Sequence, residues 1–349
     1  MKNKGSITFL LPGDNLSGGV RVTARMANLL LDRGYDVRIA LPSRWRQLWA
    51  NPSLLKRRGT VKGGWLHTFR GSIAGYNDIN CLRFAPGEVV IAVGTFMIAD
   101  LQKLNHPNLV KVRYNHGFPT EMTPAYRTAW SLPIPTITVS PTLVPQLEQL
   151  SGQAVRAVIP NGIDREQYFP VRGITRDAIG TIYAAHPNKA PRDTVELMRR
   201  VAAEWPDVPR VVFSTEPRPL GLPPGFYEQS PTIGRVRELY SRAVVWLLAS
   251  YTEGLPGPVL EAMACGAVVI STDNDGSLAL IRDGENGLIV GKSDFPGFID
   301  RIRRVRENAS LRNKLVRGGF ATASRYSWDS AARKMEEFLE SLEKPALVA

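Results

Sequence analysis

Short apolar runs alternate with amphipathic helical patterns along the whole chain, and this rhythm limits the folds that are open to it. Strands alternating with helices form parallel sheets through right-handed crossovers. The series has a break near its middle, so we predict an α/β chain with two doubly wound, Rossmann-like domains and a cleft between them. The strand candidates are Ser6–Leu11, Tyr35–Leu41, Val89–Val93, Leu109–Tyr114, Thr136–Ser140, Arg156–Ile159, Thr181–Ala185, Arg210–Ser214, Val244–Ser250, Val268–Thr272 and Gly287–Val290.

Turn residues place the domain boundary. Asn161-Gly162 and Pro170 interrupt the pattern, which predicts domains at 1–165 and 166–327. A last helix, within 328–349, has no strand after it and is expected to return to the first domain. The segment Glu216–Pro231 carries five prolines and is interpreted as an irregular loop. The helices between strands are expected from Gly18 to about Arg33 and near Ala190–Trp205, Arg235–Arg242, Pro258–Cys265 and Asp329–Glu343.

Composition excludes several classes of protein. With 44% hydrophobic and 22% charged residues, the chain is not of the disordered type. No apolar run approaches the roughly 18 residues of a membrane span, and Met1–Gly5 leads into a strand-like run rather than a signal peptide. Two cysteines, Cys81 and Cys265, cannot build a disulfide framework. We therefore expect a cytoplasmic protein.

The positive charge is concentrated in the first half. Of the net charge of +12, residues 1–165 carry +11, from 20 basic and 9 acidic side chains. One interpretation is an ordinary solvated face. The other is a surface for an anionic partner, either an inner membrane face bound through residues 38–70 or a phosphorylated acceptor; nucleic acid ranks below both because no nucleic-acid motif is present. The acid-free stretch between Asp36 and Asp78 holds Arg38, Arg44, Arg46, Lys56, Arg57, Arg58, Lys62 and Arg70, interleaved with Trp45, Trp49, Trp65 and Phe69.

The segment from Glu253 to Glu261 carries the strongest chemical signal. It follows the strand Val244–Ser250, and Pro258 suits the first turn of a helix. Both carboxylates are thus expected at the edge of the sheet where its strands end. A carboxylate accepts two hydrogen bonds and fits a vicinal diol, so the pair could hold a sugar and a ribose. For Glu261, a simple partner of the helix dipole is the alternative.

Two basic residues follow the strand Thr181–Ala185. Lys189 is expected to open the next helix, where a cation is unfavourable unless an anion lies between it and the helix N-terminus. This favours a phosphate-binding role over that of a solvated lysine, and Arg192 is a second candidate.

In the first half, Gly18-Gly19 lies between a strand and a helix, at the edge where open α/β sheets bind ligands. A tight turn that needs glycine is the alternative, and with Gly13 the spacing matches neither G-x-G-x-x-G nor a P-loop. His116 follows the strand Leu109–Tyr114, which makes it either a site residue or a core histidine.

A metal site is not expected. The four histidines and two cysteines show no metal-ligand spacing. Asp273-Asn274-Asp275 has the form D-x-D, but two loop carboxylates without a third ligand are weak evidence for magnesium.

These motifs together resemble a known family. The segment Glu253–Glu261, continuing into Ala-Met-Ala-Cys-Gly266, resembles the E-x7-E signature of retaining glycosyltransferases of family GT4, which have the GT-B fold. The similarity spans about residues 6–340. Three further segments carry it: Gly18-Gly19-Val20, Pro160–Asp164 with Tyr168–Pro170, and the turn Asp283–Gly287.

The resemblance implies retaining transfer of a sugar from a nucleotide diphosphate-sugar to an acceptor hydroxyl, without a metal or other cofactor. The acceptor would be a glycan or a lipid-linked or phosphorylated molecule of cell-envelope polysaccharide or glycolipid synthesis. Glu253 would hold the donor sugar and Glu261 the ribose. The diphosphate would lie against Lys189 and the Gly19 amide, and His116 beside the reacting sugar. The other donor contacts implied are Gly18, Arg192, Gly257, Pro258 and Val259.

The sequence departs from the family pattern at two positions. Ala184 stands where an arginine is usual, and Arg192 and His186 are the candidate substitutes. Pro256 replaces the second glycine of a Gly-Phe-Gly loop and has no N–H to give. Two other functions stay open at this point: a nucleotide-sugar epimerase of the same fold, and an inactive module that binds nucleotide sugars or polyanions.

Overall fold

The computed structural model describes residues 4–43, 64–106, 108–118 and 123–342. The chain divides into two compact units. The first comprises Met1–Pro160 together with Trp328–Ala349, and the second comprises Asn161–Ser327. Each contains a parallel sheet with helical crossovers, as predicted.

The first unit is built on seven parallel strands in the order β3-β2-β1-β4-β5-β6-β7. Its central strands are largely buried because helices cover both faces of such a sheet, and the strand Val89–Val93 is apolar over its whole length. The strands are β1 Ser6–Leu10, β2 Asp36–Pro42, β3 Ser72–Tyr76, β4 Val89–Val93, β5 Val110–Asn115, β6 Thr136–Thr138 and β7 Val155–Val158.

Helices of the first unit follow these strands. Helix α1 begins after the cap residue Ser17 and ends before Gly34, whose φ of 90° favours glycine. It buries one face, including Val20, Met26 and Leu30. The helices are α1 Gly18–Asp32, α2 Thr95–Lys103, α3 Pro124–Trp130, α4 Val144–Ser151 and, from the far end of the chain, α11 Trp328–Glu340.

The last helix lies in the first unit, as predicted. Its buried face includes Met335 and Phe338. Glu336 accepts ion pairs from Lys4 and Arg33, both at 2.9 Å. The strongly amphipathic helix is therefore held by apolar burial with charged pairs at its rim.

The second unit is built on six parallel strands in the order β10-β9-β8-β11-β12-β13. The strands are β8 Ala178–Ile182, β9 Arg210–Ser214, β10 Phe226–Gln229, β11 Ala243–Leu248, β12 Val268–Thr272 and β13 Leu288–Val290. The helices are α5 Pro191–Glu204, α6 Ile233–Arg242, α7 Gly257–Ala264, α8 Asp275–Leu280, α9 Phe295–Glu307 and α10 Ala309–Arg325.

An aromatic cluster fills the core between β8, β11 and α6. The rings of Tyr240 and Trp246 lie 4.4 Å apart, and Phe213 packs against both. Gly180 makes room for this cluster, because a Cβ there would come 2.3 Å from the Trp246 ring. This packing fixes the position of Tyr240, whose hydroxyl donates to Glu261.

Three strand predictions require correction. The strand expected at Thr181–Ala185 runs over Ala178–Ile182, because the small Gly180 weakened the apolar signal at its centre. The proline-rich segment Glu216–Pro231 is not wholly irregular, since it contains β10. The strand β3 was not predicted. Both β3 and β10 are half-exposed edge strands, which lack the apolar run that marks central strands.

The basic stretch is used partly inside the first unit. Arg38 donates to the Thr8 hydroxyl and pairs with Glu88 at 3.2 Å, while Arg70 pairs with Asp32 at 2.6 Å. These two arginines are thus paired within the unit, although the Arg70 side chain is 58% exposed. The surface for an anionic partner in residues 38–70 stays a prediction. The other six basic residues, Arg44, Arg46, Lys56, Arg57, Arg58 and Lys62, lie outside the described residues, with Trp45 and Trp49.

The described segments contain no helix with both the length and the apolar character that a bilayer crossing requires.

Candidate functional site

The predicted site residues of the second unit lie where its parallel strands end. Lys189 closes a short 3-10 turn, Pro187–Lys189, between β8 and α5. Glu253 lies in the loop between β11 and α7, and Glu261 lies within α7. Since β8 and β11 are neighbours in the sheet, their carboxyl ends bring Lys189 and Glu253 together.

Lys189 and Glu253 form a two-pronged ion pair. The Lys189 Nζ atom lies 2.7 Å from Oε1 and 2.6 Å from Oε2 of Glu253. The carboxylate side chain is 8% exposed and the lysine side chain 41% exposed. Within the described chain, Lys189 supplies every hydrogen bond that the Glu253 carboxylate receives. Because the carboxylate is paired, its burial costs much less free energy than burial of an unpaired charge.

The backbone ties the two loops to each other. The amides of Tyr251 and Thr252 both donate to the carbonyl of Asn188, at 2.9 and 3.2 Å. The next residue in each loop is the member of the ion pair, so this shared carbonyl fixes the spacing of Lys189 and Glu253. A small pocket beside them is lined by Ala184, Ser250 and Pro258 among others.

A third loop, after β12, packs against the loop that carries Glu253. Asn274 caps α8 by accepting from the amide of Ser277 at 2.9 Å, and its amide group donates to the Thr272 hydroxyl and the Ser250 carbonyl. Gly276 packs directly on the Glu253 loop. A Cβ at Gly276 would lie 2.8 Å from the Glu253 Cβ and from the Pro256 Cδ.

The central residue of the D-x-D segment therefore supports the fold. This residue, Asn274, is buried as the cap of α8, and Asp273 is exposed. No group of three or more His, Cys, Asp or Glu side chains suited to a metal ion occurs among the described residues.

Glu261 is buried and held by a tyrosine. The Tyr240 hydroxyl donates to Glu261 Oε2 at 3.1 Å. Burial raises the pKa of Tyr240 well above its usual value, and the nearby Glu261 charge adds to this. Tyr240 is consequently a permanent donor that orients the carboxylate.

The start of α7 lies next to Glu261, since a Cβ on Gly257 would be 3.7 Å from its Oε1 atom. Pro258 occupies the first turn, as predicted. Val259 is different: its side chain is fully buried, and its N–H is bonded to the Pro256 carbonyl at 3.1 Å. The donor contact of Val259 stays a prediction.

The two candidates for replacing an arginine at position 184 are both exposed. His186 accepts from the amide of Asn188 at 3.2 Å and so caps the turn that carries Lys189. Arg192 lies in the first turn of α5. Ala190, between them, is buried with a φ of 48°, in the left-handed region that L-residues enter at a cost of about 1–2 kcal/mol. Backbone strain of this kind clusters at functional sites.

In the first unit, the predicted residues also meet at one edge. Gly18-Gly19 opens α1 after β1, and His116 follows β5. A Cβ on Gly19 would lie 3.6 Å from the Nδ1 atom of His116, an ordinary van der Waals distance, so the two residues are neighbours at this edge. Tyr114 packs edge-on against the imidazole at 4.4 Å between ring centroids.

His116 is half-buried as a residue, but both ring nitrogens are shielded from solvent and have no hydrogen-bond partner in the described structure. Burial lowers the pKa of His116 to about 4. The ring is therefore neutral at pH 7, with one nitrogen able to donate and the other to accept. Such unsatisfied groups are expected where a ligand supplies the missing partners.

Comparison with known proteins identifies the second unit. Residues 225–322 match the family model of glycosyl transferases group 1. That segment contains both glutamates, Tyr240 and the α8 loop. This segment of the second unit is therefore similar to the group 1 glycosyltransferases. The family predicted from the E-x7-E segment is thus confirmed.

Two curated relatives are similar to this chain over part of their length. A D-inositol 3-phosphate glycosyltransferase from Acidothermus cellulolyticus is 29% identical over 155 residues, covering 44% of this chain and 31% of the relative. The putative glycosyltransferase EpsD from Bacillus subtilis is 39% identical over 105 residues, covering 30% and 27%. The chain therefore spans less than a third of the length of these two relatives.

The fold extends over nearly the whole chain. The Anabaena protein HepE, solved in complex with UDP-glucose, superposes with a TM-score of 0.73 at 16% identity, covering 97% of this chain and all of HepE. This confirms the GT-B fold.

The residues that hold the site residues in place were not predicted from the sequence. They are Tyr240, Asn188, Asn274 and Gly276. Asn274 follows a strand and precedes Asp-Gly, which is a detectable capping signal. The contacts of Tyr240 and Gly276 cross between elements and leave no local signal.

We predict that Gly276→Ala lowers glycosyl transfer, if that is the reaction this site carries out, by more than about tenfold. The new methyl group must push the Glu253 loop away, at a packing cost of about 1–3 kcal/mol. Steady-state kinetics and thermal unfolding check this. Gly234→Ala is the matched control, because nothing lies within 4 Å of a Cβ at that helical position. Equal activity of both variants would contradict the assigned contact.

A second prediction concerns His116. Its folded-state pKa is lowered from 6.5 to about 4, so between these values the unfolded chain binds a proton that the folded chain does not. The wild type should therefore lose stability relative to His116→Asn as pH falls through this window, by roughly 1.4 kcal/mol per pH unit. NMR titration of the ring, assigned with the variant, measures the midpoint directly. A midpoint near 6.5 would refute the burial argument.

Proposed function

We propose that the chain is a retaining glycosyltransferase that uses a nucleotide diphosphate-sugar as its donor. The observation that carries this proposal is the ion pair of Lys189 with Glu253 at the ends of adjacent strands, with Glu261 in the helix that follows Glu253. Both glutamates lie in the segment that matches the group 1 family model. One cation and two buried carboxylates provide contacts for a phosphate and for two sets of sugar hydroxyls. HepE, which shares the fold, was solved with a nucleotide sugar of this class.

Each residue has a distinct role in the proposal. Glu261, oriented by Tyr240, accepts hydrogen bonds from the ribose hydroxyls. Lys189 binds the diphosphate and stabilises the negative charge that grows on it as the sugar departs. Glu253 accepts hydrogen bonds from the donor sugar. Gly257 and Pro258, at the start of α7, lie beside the nucleotide. Arg192 is exposed on α5 as a second contact for phosphate.

In the proposed reaction, the bond between the anomeric carbon and the diphosphate oxygen breaks. A bond forms between that carbon and the acceptor oxygen on the same face. The leaving phosphate takes the proton of the acceptor hydroxyl, so no base from the protein is needed. His116, neutral and without partners in the described structure, is proposed to hydrogen-bond the reacting sugar next to Gly18 and Gly19.

The acceptor is proposed to be a glycan or a lipid-linked or phosphorylated molecule. The charge of +11 in residues 1–165 supports an anionic partner. The Acidothermus relative is named for a phosphorylated acceptor, inositol 3-phosphate. We further propose a cytoplasmic enzyme of polysaccharide or glycolipid synthesis that docks on the inner membrane face. The attachment would use basic residues of 38–70 other than the paired Arg38 and Arg70.

The donor test measures binding of UDP-, GDP- and dTDP-sugars by thermal shift and then calorimetry. For the sugar nucleotide that binds, Glu261→Gln should raise Kd by roughly 10- to 100-fold, the loss of about 1.5–3 kcal/mol expected for charged hydrogen bonds. Glu285→Gln, an exposed carboxylate of the same unit, is the control. Unchanged affinity in Glu261→Gln would refute the ribose role, and binding of none of the donors would refute the proposed function.

Activity should survive chelation. Lys189 provides the positive charge for the diphosphate in this proposal, so EDTA treatment should leave turnover unchanged. Transfer assays with and without EDTA check this. Complete loss, restored by magnesium or manganese, would contradict the proposal and bring back a metal role for Asp273 and Asp275.

A further inference from the structure

The Lys189–Glu253 pair has a consequence for ligand selection. We infer that Glu253 makes the site discriminate between a sugar-bearing donor and a bare diphosphate, by competing with phosphate for Lys189. This inference rests on the proposed function, because it takes Lys189 as the phosphate ligand and Glu253 as the sugar ligand.

The first step, breaking the Lys189–Glu253 ion pair, costs free energy. The Glu253 side chain is 8% exposed, and both of its oxygens bind the same ammonium group. Within the described residues it has no other donor. A diphosphate that draws the ammonium away leaves a buried carboxylate without a partner, which is strongly unfavourable. It also brings two groups of like charge close together.

The second step is what replaces the ammonium. At neutral pH a diphosphate offers almost only acceptor oxygens, so it cannot donate to Glu253. Sugar hydroxyls can donate, and a carboxylate fits two neighbouring hydroxyls. A nucleotide diphosphate-sugar therefore satisfies Glu253 and Lys189 together, whereas a free nucleoside diphosphate satisfies only Lys189. After transfer, Glu253 regains Lys189 and favours release of the diphosphate product.

The third step is that the exchange needs only side-chain movement. Asn188 accepts from the amides of Tyr251 and Thr252, which holds the two loops together. Gly276 packs against the backbone of Glu253. The Lys189 side chain is 41% exposed, and a lysine on a four-carbon stem can swing from the carboxylate to a phosphate in front of it.

The experiment is calorimetric titration of inorganic pyrophosphate, UDP and UDP-glucose into wild type and Glu253→Gln. Pyrophosphate reports on the phosphate subsite whichever base the enzyme uses. Removing the charge of Glu253 should tighten pyrophosphate and UDP by on the order of three- to tenfold, since a like charge and a competitor for Lys189 both disappear. UDP-glucose should bind no more tightly, so its preference over UDP falls by at least roughly three- to tenfold. Glu253→Ala should shift pyrophosphate affinity in the same direction.

Asp273→Asn is the matched control. It removes one carboxylate from the exposed loop after β12 without touching Lys189, and it should change pyrophosphate affinity by less than twofold. An equal gain in this control would mean that general charge, rather than competition for Lys189, sets the affinity, and would overturn the inference. Unchanged or weaker pyrophosphate binding in Glu253→Gln would overturn it as well.

The variant Lys189→Met shows whether only the inference fails or whether the proposed phosphate role of Lys189 fails as well. If it abolishes pyrophosphate binding while Glu253→Gln fails to strengthen it, the phosphate role of Lys189 holds and only the inference is wrong. If Lys189→Met binds pyrophosphate as well as wild type, or if wild type and Glu253→Gln both fail to bind it, the phosphate role fails and the inference fails with it.

Discussion

Burial of the Glu253 carboxylate removes it from water, and the Lys189 ammonium supplies the hydrogen bonds that water would have made. A buried charge without such a partner is costly. This requirement explains why the surrounding structure fixes the distance between the Lys189 loop and the Glu253 loop. The carbonyl of Asn188 binds two amides of the Glu253 loop, and a left-handed Ala190 follows directly after the lysine. The strain at Ala190 persists because hydrogen bonds on both sides hold it.

The second carboxylate is held by different means. Glu261 lies on a helix whose neighbouring residues are buried, and Tyr240 reaches it from α6. Tyr240 is itself fixed by Trp246, which fits only because Gly180 has no side chain. A chain of apolar contacts thus orients a polar group at the surface of the core. Rigid support of this kind lets a carboxylate discriminate between ligands by geometry as well as by charge.

Most of the architecture could be predicted because strand-like apolar runs alternate with amphipathic helical patterns. The two parallel sheets, the return of the last helix and the placement of Lys189 after β8 follow from that alternation and from turn residues. Edge strands β3 and β10 were missed because half of each is exposed, so propensity alone had to mark them. The supports of the site were missed for another reason: the contact of Gly276 with Glu253 joins residues far apart in sequence, and spacing rules describe neighbours only. The predicted cleft between the two sheets stays a prediction.

Ala184 connects the departure from the family pattern to the electrostatics of the site. It lines the same pocket as Lys189 and Glu253, and Lys189 is the one cation among the lining residues that the structure describes. His186 is occupied in capping a turn. With a second cation at position 184, a carboxylate and a diphosphate could each keep a positive partner, and they would compete weakly. With alanine there, the proposed site would have to share the charge of Lys189, so whatever satisfies Glu253 would set how strongly the lysine can hold phosphate. In the proposed function, the small residue at position 184 would thereby couple recognition of the sugar to recognition of the diphosphate.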